Sequence, residues 1–196
     1  RTVSDPPHFV LIPVKAGQPK VFPPDGLGVT TRGAFFPDGS RVGFLANAPG
    51  KGTRIYVQDL SGGSPKPISE EGIYASRIFV SPDSRWIAAN GPDTRTFLYP
   101  SAGGTPTALT ASKPGDIPAG WTADGKGVYV AQRAIPCPVD LIDVASGRRT
   151  HVRDLQGVDA SGVTLFGPAR VTPDGRTLIA GMNRILSVLY RLQGLS

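Results

Sequence analysis

Ser81-Pro82-Asp83-Ser84-Arg85-Trp86-Ile87-Ala88-Ala89 is the stretch on which the reading of this chain turns. An Asp in a tight turn bonds its own backbone two residues on, and the position after it favours a positive φ. The apolar run that follows, Trp86 to Ala89, is too short for a helix and is bounded by turn residues. The stretch therefore predicts a hairpin whose second strand is apolar on consecutive residues. Working outward, the same element returns three times. Phe36-Pro37-Asp38-Gly39 precedes Val42-Gly43-Phe44-Leu45-Ala46, Thr122-Ala123-Asp124-Gly125 precedes Val128-Tyr129-Val130-Ala131, and Thr172-Pro173-Asp174-Gly175 precedes Leu178-Ile179-Ala180-Gly181. The four aspartates are 45, 41 and 50 residues apart.

A second marker recurs out of phase with the first: Ala16-Gly17-Gln18-Pro19, Gly62-Gly63-Ser64-Pro65, Gly103-Gly104-Thr105-Pro106 and a weaker Ser146-Gly147-Arg148-Arg149. Its second residues are 46, 41 and 43 apart, so two independent signals report one period in the range of propeller blades and some helical arrays. Strand signals decide between those two. Short runs such as Ile55-Tyr56-Val57, Phe97-Leu98-Tyr99 and Leu141-Ile142-Asp143-Val144 precede the second marker. Apolarity on consecutive residues means that both faces of a sheet are covered, as when each sheet lies between two neighbours. The expectation is an all-β chain, a β-propeller of four-stranded antiparallel blades. In the second full repeat the strands are Arg77 to Ser81, Arg85 to Ala89, Thr96 to Tyr99 and Thr107 to Thr110. Pro67 falls in a fourth strand, which suits an outer edge.

The whole chain, 1–196, reads as a single propeller segment of about four blades. Its repeats lie at about 1–30 (partial), 31–75, 76–116, 117–166 and 167–196, the last lacking its final strand. The chain opens on Phe9 to Val14 and Lys20 to Phe22, read as strands three and four of a blade, and Arg1 is neither a start residue nor part of a signal peptide. It is therefore expected to be part of a larger propeller with further blades upstream.

Composition agrees with this reading. The 196 residues include 25 Gly and 20 Pro, nearly a quarter of the chain, which leaves no room for long helices, while 39% hydrophobic residues suffice for a core. One Cys, Cys137, excludes an internal disulfide, and with only His8 and His151 beside it the usual zinc constellations are excluded too. No apolar run approaches the roughly 18 residues of a membrane span.

Phe79-Val80-Ser81-Pro82-Asp83-Ser84-Arg85-Trp86-Ile87-Ala88, followed by Ala102-Gly103-Gly104-Thr105-Pro106, resembles the TolB-type, WD-like propeller repeat of bacteria. From about 113 onward a narrower resemblance adds to it. Pro114-Gly115-Asp116-Ile117-Pro118, Trp121-Thr122-Ala123-Asp124-Gly125, Ala145-Ser146-Gly147-Arg148-Arg149, Asp159-Ala160-Ser161-Gly162-Val163, Val171-Thr172-Pro173-Asp174-Gly175-Arg176 and the terminal Leu186 to Leu195 come in the order seen in the C-terminal propellers of bacterial eukaryotic-like serine/threonine kinases. Ser84 stands where the family has Gly, Ala123 where it has Pro and Gln193 where it has an acidic residue. The resemblance implies a sensor propeller in the periplasm or otherwise beyond the membrane, attached to the bilayer only by an anchor upstream of this segment. A cytoplasmic propeller is the alternative.

Catalytic patterns are not found in these residues. There is no kinase Gly-rich loop with its strand Lys, no His-Arg-Asp and no Asp-Phe-Gly. Gly26-Leu27-Gly28-Val29-Thr30-Thr31 and Gly50-Lys51-Gly52-Thr53 are incomplete phosphate motifs and read as turns. No Gly-x-Ser-x-Gly elbow occurs, and His151 alternates with Arg149 and Arg153 on what reads as a solvated edge strand. Cys137, between Pro136 and Pro138, reads as an ordinary thiol in a loop. The turn aspartates Asp38, Asp83, Asp124 and Asp174 sit at equivalent places in successive blades, too far apart to share a metal ion. No catalytic residue, metal or cofactor is therefore expected.

Charge carries the one site expectation. The net charge is +6, but the 21 Lys and Arg are scattered over turns and strand ends, which argues against nucleic acid as a partner. Arg32 and Arg77 each stand six residues before their turn Asp, and Arg170 four before its own, at the start of the innermost strand near the channel mouth. Three such arginines would attract a small anionic ligand or an acidic protein segment. The functional expectation is a non-catalytic propeller for protein or ligand binding, the sensor part of a receptor-like kinase. The alternative is an accessory propeller of a hydrolase or peptidase, or a TolB-like interaction protein.

Overall fold

The computed structural model describes residues 9–14, 16–22, 26–29, 33–75, 77–157, 161–167 and 169–186. Every paired strand among them is antiparallel, and no helix occurs among them. β1 (Phe9–Leu11) pairs with β2 (Lys20–Phe22), the hairpin expected at the start. The next sheet holds β3 (Gly28–Val29), β4 (Ala34–Phe35), β5 (Arg41–Asn47), β6 (Arg54–Asp59) and β7 (Lys66–Pro67). In it β5 takes both β3 and β4 on one side and β6 on the other, and β7, with Pro67, is the outer edge. β8 (Phe79–Val80), β9 (Trp86–Asn90), β10 (Thr96–Pro100) and β11 (Thr107–Ala108) form a four-stranded sheet in chain order. So do β12 (Ile117–Trp121), β13 (Gly127–Ala131), β14 (Cys137–Asp143) and β15 (Arg149–Leu155). Beyond them β16 (Val163–Phe166) pairs with β19 (Met182–Arg184), and β17 (Arg170–Val171) with β18 (Leu178–Ile179).

The consecutive apolar runs do what their pattern predicts. In β9, Ile87 and Ala89 pack with Phe36, Leu45, Ile55, Val57 and Ile78 toward the preceding sheet. Ala88, one residue along and so on the opposite face, packs with Trp121, Val128, Val130 and Ile142 of the following one. Tyr129 and Ala131 then join Val139, Phe166 and Val171 in the next layer. Each buried Val, Leu, Ile or Phe in these layers contributes about 1.5–3 kcal/mol. The innermost strands meet in sequence around a common line, β4 beside β8, β8 beside β12 and β12 beside β17. The Trp121 indole N–H donates to the Phe79 carbonyl across this hub at 2.9 Å. Stacked sheets sharing an inner edge make this a partial β-propeller, as the repeat predicts.

The Asp turns are built alike. In three of them a hydroxyl two residues before the Asp donates to its carboxylate: Ser81 to Asp83 (2.6 Å), Thr122 to Asp124 (2.7 Å) and Thr172 to Asp174. The same hydroxyl accepts the backbone N–H of the residue opening the second strand, as with Trp86 and Ser81 at 2.9 Å. Gly39, Gly125 and Gly175 occupy the left-handed position at φ 69°, whereas Ser84 must hold φ 61° with a Cβ. Ser84→Gly is therefore expected to stabilise the protein by about 1 kcal/mol, because a side chain is disfavoured in that region. Thermal denaturation should show a rise of roughly 2–4 °C.

The structure departs from the sequence reading at particular places. The innermost strand of the second full repeat is shorter than Arg77 to Ser81, with only Phe79 and Val80 paired. In the first and last sheets it is split, β3 and β4 both lying on β5, and β16 and β17 lying on β19 and β18. Cys137 is not in a loop but opens β14 and is buried, and that burial pushes its thiol pKa up. A thiol held protonated in this way is a poor nucleophile.

Candidate functional site

Because strand direction alternates, the Asp turns and the Gly-Gly turns fall at one end of each sheet. The loops joining second to third strands, and those joining one sheet to the next, fall at the other. At that second end lies a cleft of about 760 Å³, framed by loops of three successive sheets. Thr53 and Tyr74 come from the first, Asn90 and Thr94 from the second, Gln132 and Arg133 from the third, with Ile73, Pro114 and Ile117 supplying apolar wall. Arg133 is the one formally charged residue of this lining, and the Tyr74 ring is mostly exposed.

Beneath the cleft is a buried ionic cluster. Asp116, in the loop leading into β12, is fully buried. The Arg149 guanidinium, reaching in from the outermost strand β15, donates to both of its carboxylate oxygens at 2.6 and 3.1 Å. The Gln132 amide donates to Asp116 Oδ1 at 2.8 Å and the Lys113 backbone N–H to Oδ2 at 2.6 Å. Arg149 also donates to the Ala111 carbonyl and, through Nε, to Asp140 at 2.6 Å. Asp140 meets His151 Nδ1 at 2.9 Å. A bulge at Val139/Asp140 sets His151 opposite Asp140; His151 and Arg153 stay exposed on this edge strand, as the sequence reading has it, while Arg149 is drawn inward. The Asp116 carbonyl in turn accepts from Asn90 Nδ2 and from the Thr96 hydroxyl. The cluster thus ties the loop between two sheets to strands on both.

Burial opposes the Asp140 carboxylate, but the hydrogen bonds from His151 and Arg149 outweigh it and hold its pKa below the ordinary value. The Asp116 hydrogen bond is the chief cause of a raised Arg149 pKa. At the turns, hydrogen bonds to the carboxylates likewise hold Asp83, Asp124 and Asp174 low. A carboxyl whose folded pKa is depressed adds stability that is present above its unfolded pKa, near about 3.9, and is lost as pH falls through the folded one. Urea denaturation midpoints should therefore hold from neutral pH to about 5 and then fall steeply below about 4. The slope of that fall should lessen in Asp83→Asn and Asp140→Asn.

Thr94 is a second local signal. It is β-branched yet sits at φ 64°, in a loop where Asp93 accepts the Arg95 N–H at 3.1 Å. Such a conformation persists only when its surroundings over-determine it. Asn90 Nδ2 on the Thr94 carbonyl (2.9 Å) and the Gly115 N–H on the Thr94 hydroxyl (3.2 Å) do so, at the rim of the cleft.

Of the arginines singled out from the sequence, Arg32 lies outside the described residues. Arg77 is half-buried two residues before β8, and Arg170 opens β17 with its guanidinium over the Phe79 ring at 5.5 Å. Neither lines the cleft, whose cation is Arg133. The sequence also carries a signal for the cleft. A carboxamide follows the apolar run of the second strand in three repeats, at Ala46-Asn47, Ala89-Asn90 and Ala131-Gln132. Among the described residues no group of three or more His, Cys, Asp or Glu is arranged to hold a metal ion.

No family model and no curated protein matches the chain. Solved structures do. TolB from Acinetobacter baumannii aligns at 20% identity with a TM-score of 0.63, over 93% of this chain and 50% of that one. An oligogalacturonate lyase in complex with manganese aligns at 13% and 0.57, over 88% and 58%. A prolyl endopeptidase aligns at 15% and 0.53, over 78% of this chain and 26% of that one. This chain thus spans about half the length of the TolB structure. At such identities the likeness is one of architecture, and what it establishes is that this chain has the fold of a TolB-type β-propeller segment.

Proposed function

We propose that this chain is a non-catalytic binding module that receives a protein segment or a small anionic ligand in the loop-face cleft. The observation that carries the reading is the cleft itself: loops from three sheets converge on it, its walls are apolar with a few placed polar groups, and Arg133 supplies a positive charge. That combination of apolar wall and sparse polar anchors is the usual make-up of a ligand site. The buried Asp116–Arg149 fork keeps the floor rigid, so little ordering cost falls on binding. The sequence resemblance to kinase-associated propellers adds the finer reading, a sensor half of a receptor-like serine/threonine kinase lying beyond the membrane. The prolyl endopeptidase likeness keeps an accessory role beside a hydrolase as the second reading.

Arg133→Ala is expected to weaken binding of acidic peptides at least about tenfold, measured by calorimetry, with an unchanged melting temperature, because the side chain is exposed. Arg32→Ala, Arg77→Ala and Arg170→Ala test the hub instead. If these three, and not Arg133→Ala, abolish binding, the site is the hub and not the cleft. Turnover of ATP, ester or peptide substrates by this chain, abolished by His151→Ala, would overturn the binding reading altogether.

A further inference from the structure

We infer that Asn90 and Gln132 are fixed hydrogen-bond acceptors that determine the specificity of the cleft. The ligand they select is a peptide segment offering main-chain N–H groups beside a carboxylate for Arg133. This rests on the reading of the cleft as a binding site and adds what the site discriminates.

The inference comes from what each carboxamide is bonded to. Asn90 is nearly fully buried, and its Nδ2 donates to two backbone carbonyls, those of Thr94 and Asp116. Carbonyl oxygens only accept, so the NH₂ must face them and Oδ1 must face away. Gln132 is held by the same logic. Its Nε2 donates to Asp116 Oδ1, an oxygen that also accepts from the Arg149 guanidinium. Rotating either amide by half a turn would set oxygen against oxygen, in a buried place at Asn90 and a half-buried one at Gln132, and lose a hydrogen bond.

The two outward oxygens have no protein partner. Among the described residues the one fully buried side-chain polar atom without a partner is Arg54 Nε, so Asn90 Oδ1 and Gln132 Oε1 each keep some contact with solvent, a narrow one at Asn90, which is 4% exposed. Both residues line the cleft, and both hang from Asp116, which places the two acceptors within reach of one ligand. Asp116 and Arg149 are positioning residues: neither lines the cleft, and they act by locking the amides.

The chemistry of the occupant follows. A bare anion drawn in by Arg133 would meet two carbonyl oxygens it cannot satisfy, and leaving a polar group unpaired on binding discriminates strongly between ligands. An extended peptide supplies N–H donors at regular intervals, can place an acidic side chain or terminus at Arg133, and can lay apolar side chains on Ile73, Pro114 and Ile117 beside the Tyr74 ring. The cleft volume of about 760 Å³ suits a segment of several residues more than a small ion.

The test uses the whole chain, isotope-labelled, titrated with three probes while the side-chain amide resonances of Asn90 and Gln132 are followed. The first is a pool of end-capped hexapeptides with one Glu at a set position, the second the same pool methylated on its backbone nitrogens, and the third glutarate, an anion with no N–H. The unmethylated pool is expected to shift both amide signals and to bind at least about tenfold more tightly than the methylated one. Glutarate should leave the two signals unmoved. Gln132→Met, of similar size, should reduce the ratio between the pools at least about threefold. Should that variant not fold, the ratio measured on the unaltered chain still decides. Equal affinity for both pools, or glutarate as tight as the peptides, overturns the acceptor inference while leaving the cleft reading intact. If no probe binds, both fall.

Discussion

Gly120→Ala is expected to lower stability by about 3–5 kcal/mol, because strain and overpacking add at that site. Gly120 lies just past a bulge in β12, at φ 153°, where the innermost strands of neighbouring sheets come together. A Cβ built there falls 2.6 Å from the Val171 carbonyl oxygen, and the obstacle is backbone, which has no rotamer to yield. Either β12 and β17 separate, opening the layer that holds Ala119, Phe166 and Val171, or Gly120 leaves its conformation and the bulge is lost. Gly39→Ala is the matched control, since Gly39 also has a positive φ but nothing within 4 Å of its would-be Cβ. It should cost only about 1 kcal/mol. Chemical denaturation of the two variants beside the parent measures the difference. Equal losses would mean that the close approach of β12 and β17 does not hold in solution.

The second large effect is electrostatic. Arg149→Met should destabilise the protein by about 3–5 kcal/mol at neutral pH, because it leaves the fully buried Asp116 carboxylate without its cation. Two further results separate this cause from lost packing. Burial without a partner disfavours a charged carboxylate, so the penalty for stranding one must lessen as pH falls. The stability gap between parent and variant should therefore narrow between about pH 7 and pH 4. Removing both charges, Asp116→Leu with Arg149→Met, should be less harmful than removing Arg149 alone, since the fully buried charge is then gone and Asp140, which also loses Arg149, keeps His151. Urea melts across this pH range read both. A gap that stays constant with pH, and a double variant as unstable as the sum of the two single ones, would show that the fork is mere packing.

The sequence was legible wherever the physics is local. A turn needs its Asp, its hydroxyl and its left-handed residue within five positions, so Ser81, Asp83 and Ser84 announce their hairpin without any other part of the chain. Consecutive burial is equally local in origin, for Ile87 and Ala88 must face opposite neighbours if both are apolar. Arg149 shows the limit. On its own strand it reads as one of three alternating charges, Arg149, His151 and Arg153, and nothing nearby in the chain says that its guanidinium is spent on an aspartate 33 residues earlier. Arg77 and Arg170, placed by their distance from the turns, do not line the cleft, which is built from loops at the opposite end of the sheets from those turns.

From its order of residues alone this chain determined its period, its strands, its turns and hence an all-β propeller, because each depends on interactions within a few residues and on an alternation that any strand must obey. Which side chains meet was decided only by the tertiary structure. Thr53, Asn90 and Arg133 share a cleft, and Asp116 draws Gln132, Asn90 and Arg149 together, because stacking sheets about one line brings the same end of every sheet to the same face. That convergence is a property of the packing angle between sheets: the carboxamides at Asn90 and Gln132 recur along the chain, but their recurrence does not say that they share a face.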